Sequence, residues 1–189
     1  MGHSQAEKAQ SRERILAEAS RQIRREGLES VSVGALMKSV GLTHGGFYGH
    51  FESRSALLEE ALQRALLEGK ASGKTSDPPE PFSSVVRGYL SRSHRDARES
   101  GCAVAALASD AARADEAPRA IMARHVEAFI ATVAETLGGD EERAAVAVSA
   151  MVGALTLSRA VADPDRSDAI LKLVRDHLEG WSEATEGAS

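Results

Sequence analysis

Residues 41–51 read GLTHGGFYGHF. Four of these eleven residues are glycine, three are aromatic and two are histidine. An interior glycine costs a helix about 1 kcal/mol against alanine. The stretch is therefore a loop, a phosphate cradle, or a short helix whose surface must stay bare. A Walker-type loop needs Gly-Lys-Ser/Thr after its glycines and a strand before them, and a dinucleotide fingerprint needs strand, turn and helix. Here Phe47 and Tyr48 follow the glycines and a helical pattern precedes them. Nucleotide binding is excluded on that pattern.

A helix-turn-helix accounts for the same residues. The segment VGALMKSV, with Leu36, Met37 and Val40 apolar, reads as a short helix stopped by Gly41, which can take φ > 0 and turn the chain. Leu42 then tucks between two helices, and the Thr43 hydroxyl can cap the second. That second helix spans about 44–50 and buries Phe47 and Phe51, four apart on one face. Its other face offers His44, Gly45, Tyr48 and His50. A bare position 45 lets the main chain approach base edges while Thr43, His44 and Tyr48 reach around it. Such a helix, held by its predecessor, is what enters a DNA major groove.

Working outward, SRERILAEASRQIRREG places Ile15, Leu16, Ala19 and Ile23 on one face, and Gly27 ends that helix. ESRSALLEEALQRALLEGK carries a strong apolar stripe, with Ser53 or Ser55 as its cap. KASGKTSDPPEP at 70–81 is a linker. Helices are expected thereafter at about 82–99, 103–113, 117–137, 141–162 and 165–181, with the tail 182–189 disordered. The fold class is all-α: an N-terminal three-helix helix-turn-helix domain at 1–52, then a larger helical ligand-binding and dimerisation domain at 53–189. The helix at 53–70 connects them.

The 189-residue chain is 42% hydrophobic, 27% charged and only 4% aromatic, an ordinary globular balance. Residues 1–54 carry 8 Lys/Arg against 6 Asp/Glu, and residues 55–189 carry 15 against 22, so a mildly basic module sits on an acidic body. No apolar run reaches the roughly 18–20 residues a membrane span needs, and no leader pattern opens the chain. The single cysteine, Cys102, permits no internal disulfide. A cytoplasmic protein with no membrane contact is expected. His94, His125 and His177 lack metal-ligand spacing, and no Ser, His and Asp grouping has a nucleophile setting. No metal, no cofactor and no enzymatic activity are expected.

The segment VSVGALMKSVGLTHGGFYGHFESRSALLEEAL resembles the DNA-binding domain of the tetracycline-repressor (TetR) family. The shared features are a cap at Ser32, the apolar pair Leu36–Met37, Gly41-Leu42-Thr43, Phe47–Tyr48, His50–Phe51, a basic residue at Arg54, and Leu57. The likeness covers about 11–66. Two positions depart, with Met37 where a small Ala is usual and Arg54 where Lys is usual. The resemblance implies that Ser32, Tyr48, His50 and Arg54 contact phosphates of a double-stranded operator, and that Thr43, His44 and Gly45 lie against bases.

The resemblance also implies a homodimer, a small-molecule effector and repression. One short helix reads few bases, and two-fold dimers read half-sites about 34–36 Å apart. Candidate interface residues are Val148, Val152, Leu155, Leu173, Val174, Leu178 and Trp181. Candidate pocket residues are Phe82, Tyr89, Cys102, Met122, His125, Phe129 and Met151. Scarce aromatics and abundant alanine suggest an apolar effector. Three alternatives stay open: a helical binding or protein-interaction module that no longer engages DNA, a thiol sensor through Cys102 at a helix start, and a helical enzyme.

Overall fold

The structure, a computed structural model, describes residues 5–69 and 80–186. Nine α-helices and two 3-10 segments make up the described residues, which contain no strand. The helix α1 (Gln5–Glu26) buries Ile15, Ala19 and Ile23 at the expected four-residue spacing. A 3-10 turn at Leu28–Ser30 follows, then α2 (Val33–Ser39), a second 3-10 helix (His44–Gly49) and α3 (Arg54–Glu68).

The turn after α2 is a Schellman motif. Gly41 sits at φ 73°, its N–H donates to the Lys38 carbonyl (3.0 Å), and the Leu42 N–H donates to the Met37 carbonyl (2.8 Å). Only glycine holds that φ without strain, which is why the chain turns there. Ser53 caps α3 by accepting from the Ala56 N–H at 3.0 Å. α3 then packs its buried stripe, Leu57, Leu58, Ala61, Leu62, Ala65 and Leu66, against α1 on one side and α7 on the other.

The larger domain comprises α4 (Phe82–Tyr89), α5 (Arg92–Asp96), α6 (Ala103–Arg113), α7 (Glu116–Glu135), α8 (Glu141–Ala160) and α9 (Pro164–Glu186). α8 packs on α7 and α9, and α4 lies on α9. The helix expected over 82–99 is two helices. The chain breaks at Leu90, and the Ser91 hydroxyl starts α5 by accepting from the His94 N–H at 3.2 Å. α9 runs to Glu186, past the expected end at 181, so part of the expected tail is helical. Residues 70–79 of the expected linker and 187–189 of the tail lie outside the described residues.

His94 explains the break. Its Nδ1 lies 2.7 Å from the Tyr89 carbonyl, and its Nε2 lies 3.0 Å from the Cys102 N–H. A carbonyl only accepts and an N–H only donates, so the ring is neutral, with its proton on Nδ1. His94 thereby ties the end of α4 to the first residue before α6, while Arg159 of α8 donates to the His94 and Arg95 carbonyls (3.0 and 2.9 Å). Burial lowers the His94 pKa below 6.5, the Tyr89 carbonyl opposes that, and the Arg159 charge adds to it. The unfolded chain therefore takes up the proton first. Stability is expected to be greatest above about pH 6.5 and to fall as pH drops from there toward the folded-state pKa. His50 is lowered as well, chiefly by burial. Urea midpoints at pH 5.5, 6.5 and 7.5 should thus rise with pH, and His94→Gln should flatten that slope in part, leaving the share of His50.

Candidate nucleic-acid interface

Residues 44–49 are too rich in glycine to hold themselves as a helix, and the packing of two rings does it for them. Phe47 and Phe51 are buried, stacked at 5.7 Å between centroids. The Arg12 guanidinium covers the Phe51 ring at 4.7 Å, and its Nε donates to the His50 carbonyl at 3.3 Å. The segment is a 3-10 helix, tighter than the α-helical turn and a half expected from sequence. Its bonds run from Gly46 N–H to the Thr43 carbonyl (3.0 Å) and from His50 N–H to the Phe47 carbonyl (2.9 Å). Three glycines weaken the α form, and 3-10 geometry is used in short pieces such as this one.

Thr43, His44, Gly45 and Tyr48 are exposed, and Tyr48 has 70% of its surface in solvent. A Cβ added at Gly45 would meet no atom within 4 Å, so this backbone is open to whatever approaches it. The Thr43 hydroxyl does not cap the helix it precedes. Ser32 likewise sits at the N-cap of α2 without a side-chain capping bond. Both hydroxyls stand at the surface at helix starts, where phosphate oxygens are well received.

His50 and Arg54 are placed differently. His50 is half-buried, and its Nδ1 is buried without a hydrogen-bond partner. It lines a cleft with Lys8 and Ser11 of α1 and with Thr43. Burial lowers its pKa, and the Lys8 and Arg12 charges lower it further. Lys8, Ser11 and the exposed Lys38 of α2 are not among the residues singled out from sequence. A lysine in a helix otherwise read for its apolar stripe gives little signal of where its face will point. Arg54 is committed within the fold, donating to the Val31 carbonyl (3.0 Å), the Glu29 carboxylate (2.9 Å) and the Glu29 carbonyl (2.9 Å). A lysine could not span these three acceptors with its single nitrogen. Met37, the other departure, is fully buried, and its Cε would lie 3.7 Å from a Cβ at Gly46.

The other residues singled out from sequence divide between core and surface. Phe82 stacks on Trp181 at 6.4 Å, Met122 and Met151 are buried, and His125 and Phe129 are half-buried. Cys102 is 4% exposed at the N-cap of α6, beside the Tyr89 phenol. Of the seven pocket candidates, only Tyr89 lines the cavity of about 490 Å³ between α3, α4, the α5–α6 region and α7, and that lining mixes hydroxyls and two carboxylates with apolar surface. Of the interface candidates, Val148, Leu155 and Leu178 are core, Val152, Val174 and Trp181 are half-buried, and Leu173 is exposed. Among the described residues, no group of three or more His, Cys, Asp and Glu could hold a metal, and no helix is long and apolar enough to cross a membrane.

A tight glycine turn, a short helix propped on two phenylalanines and a bare polar outer face together define a helix-turn-helix DNA-binding domain, carried on a larger all-α domain. Residues 15–61 match the family described as bacterial regulatory proteins, tetR family. No curated protein matches the chain. Solved structures match over nearly its whole length. The reduced form of E. coli NemR has a TM-score of 0.73 at 18% identity, covering 90% of this chain and 96% of that one. A TetR-family regulator from Cytophaga hutchinsonii scores 0.71 at 18% identity, covering 95% and 98%. A TetR regulator from Chloroflexus aurantiacus scores 0.74 at 18% identity, covering 93% and 96%. At these identities the likeness is one of fold.

The Arg54 contacts carry a stability prediction. Arg54→Ala should destabilise the chain by about 1–2 kcal/mol, allowing for solvent screening of a partly exposed group. Arg54→Lys should recover less than half of that loss. Both follow from urea unfolding with the m-value held constant.

Proposed function

We propose that this chain is a dimeric transcriptional repressor that binds a pseudo-palindromic operator and is released by a small-molecule effector. The observation that carries the reading is the 3-10 helix at 44–49, with open backbone at Gly45 flanked by the unbonded Thr43 hydroxyl, His44 and the exposed Tyr48. In the proposed complex Thr43, His44 and Gly45 face base edges, while Ser32, Tyr48 and His50, backed by Lys8 and Lys38, hold phosphates. Arg54 holds the turn that presents Ser32 with three of its five N–H donors and keeps two for a phosphate.

Helix α8 supports the dimer. Ala144, Val148, Met151 and Leu155 face inward and are buried, while Val146 (57% exposed) and Leu157 (58%) lie on the opposite face with Ala150 and Gly153. A helix apolar on both sides is one covered on both sides. Leu173 of α9 is another exposed apolar residue, at 63%. Such a contact is self-complementary about a two-fold axis.

Two polar contacts join the larger domain to the reading domain. The Leu28 N–H donates to Asp110 of α6 at 2.9 Å, and Arg25 of α1 pairs with Glu99 at 2.7 Å. An effector that shifts α6 would move the turn before α2. Coupling of about 1–3 kcal/mol is enough to regulate binding, given two poses that ligand and DNA prefer differently.

A gel-shift on the DNA upstream of the protein's own gene tests this. Binding should fall steeply with salt. Tyr48→Phe should weaken all operator variants alike, and His44→Ala should relax discrimination at one or two base pairs by up to about 1–3 kcal/mol. A dimeric chain that binds no DNA at low salt would leave the alternative of a ligand-binding helical module. Leu157→Glu should yield monomers by size-exclusion chromatography and lose the operator complex with them.

A further inference from the structure

The cavity of about 490 Å³ is lined on one side by Glu68, at the end of α3, and by Glu80, and elsewhere by hydroxyls such as Ser84 and Thr132, with the Tyr89 ring as a wall. No lysine or arginine lines it among the described residues. His94 also lines it, but both ring nitrogens are committed to backbone, so the ring offers no free N–H to an anion. Among the described residues the wall therefore offers two carboxylates and hydroxyls that can accept, and the Arg24 and Arg64 guanidiniums that reach Glu68 are engaged with its oxygens. Anions are disfavoured in such a site, and groups rich in N–H donors are favoured.

Glu68 also shows what it prefers. Its Oε1 accepts from Arg64 Nε (2.6 Å), and its Oε2 accepts from Arg24 Nη2 (2.9 Å) and Ser20 Oγ (3.1 Å). Burial raises its pKa, but the donors Arg64, Arg24 and Ser20 outweigh that and hold it below the usual glutamate value, so it is charged at neutral pH. More than a third of its side chain remains exposed. Arg24 and Ser20 belong to α1, so this carboxylate closes the reading domain onto α3. Arg24 is itself buried, with its Nε unpartnered and its Nη1 on the Ala65 carbonyl (3.2 Å), so it has little else to turn to.

We propose that this cavity takes a small organic cation bearing N–H donors, such as an amidinium, guanidinium or ammonium group, which binds Glu68 and Glu80 and competes with Arg24 and Arg64 for the Glu68 carboxylate. The inference rests on the effector reading above and gives that effector a chemical class, in place of the apolar one that composition suggests. It also gives the effector a route to the DNA-binding domain, because occupying Glu68 loosens α1 from α3.

Three probes of one shape decide it: benzamidine, neutral benzamide and anionic benzoate, each titrated calorimetrically into the full-length protein. Benzamidine should bind once per chain and at least about tenfold more tightly than either isostere. Glu80→Gln and the blocking variant Ser84→Trp should each weaken it several-fold. Arg64→Gln should tighten it, because it frees Oε1 of Glu68, and an attraction to the acidic surface at large would not respond in that way. Equal binding of benzoate or benzamide, no benzamidine binding stronger than about 1 mM, or indifference to both Ser84→Trp and Arg64→Gln overturns the proposal. Benzamidine binding with this pattern in a protein that fails the gel-shift supports the site and removes only the regulator reading.

Discussion

The DNA-binding face depends on the packing of Phe47 and Phe51 beneath six residues that could not form a helix alone. Three glycines within the segment set about 3 kcal/mol against helical geometry. Two buried phenylalanine side chains contribute about 1.5–3 kcal/mol each. The margin is small, and Arg12 adds to it by lying over Phe51 and holding the His50 carbonyl. Because all the anchoring apolar groups lie on the inner side, the outer side is free to be polar and, at Gly45, free of any side chain. The fold can thus present bare backbone without losing the helix that presents it.

The same economy governs how the reading domain sits on the rest of the molecule. α3 is common to both parts and supplies their apolar contact. The finer orientation is set by carboxylates: Glu68 of α3 on the flank of α1, Glu99 on Arg25, and Asp110 at the turn that follows α1. At that turn Gly27 has φ 98°, and a Cβ there would come within 2.8 Å of the Asp110 carboxylate. Polar contacts have alternative partners in water and in ligands, whereas an interdigitated apolar contact has few. A joint made this way is one that a charged ligand can rearrange without melting a core.

What was legible in the sequence is what local chemistry decides. Gly41 ends α2, Ser53 starts α3, Ile15, Ala19 and Ile23 face the core, and Phe47 and Phe51 share a face. Each depends on residues at most a few positions away. What was not legible depends on distant partners. Nothing local splits 82–99 into two helices except Ser91, and the reason it splits is the His94 ring bound to Cys102 across eight residues. That Arg54 is also held by Glu29, twenty-five positions earlier, is equally invisible locally. Six of the seven pocket candidates do not line the cavity of about 490 Å³, for a physical reason. In a chain poor in aromatics the large side chains are consumed by packing, and space is left where small polar residues gather, as at Ser84 and Thr132.

Helix α8 carries that reasoning one step further. It has two apolar stripes about half a turn apart, and the one with the larger residues, Val148, Met151 and Leu155, went inward. The outward stripe sets the small Ala150 and Gly153 between Val146 and Leu157, so a second helix could approach closely at the centre and be gripped at the ends. In the proposed dimer this contact lies far along the chain from the reading helix, yet it sets the distance between the two copies of it. Half-sites about 34–36 Å apart leave little tolerance for rotation. In the proposed regulator a rigid contact at α8 and a polar, yielding joint at Glu68 and Asp110 would divide the labour: one fixing where the two heads stand, the other letting a ligand turn them.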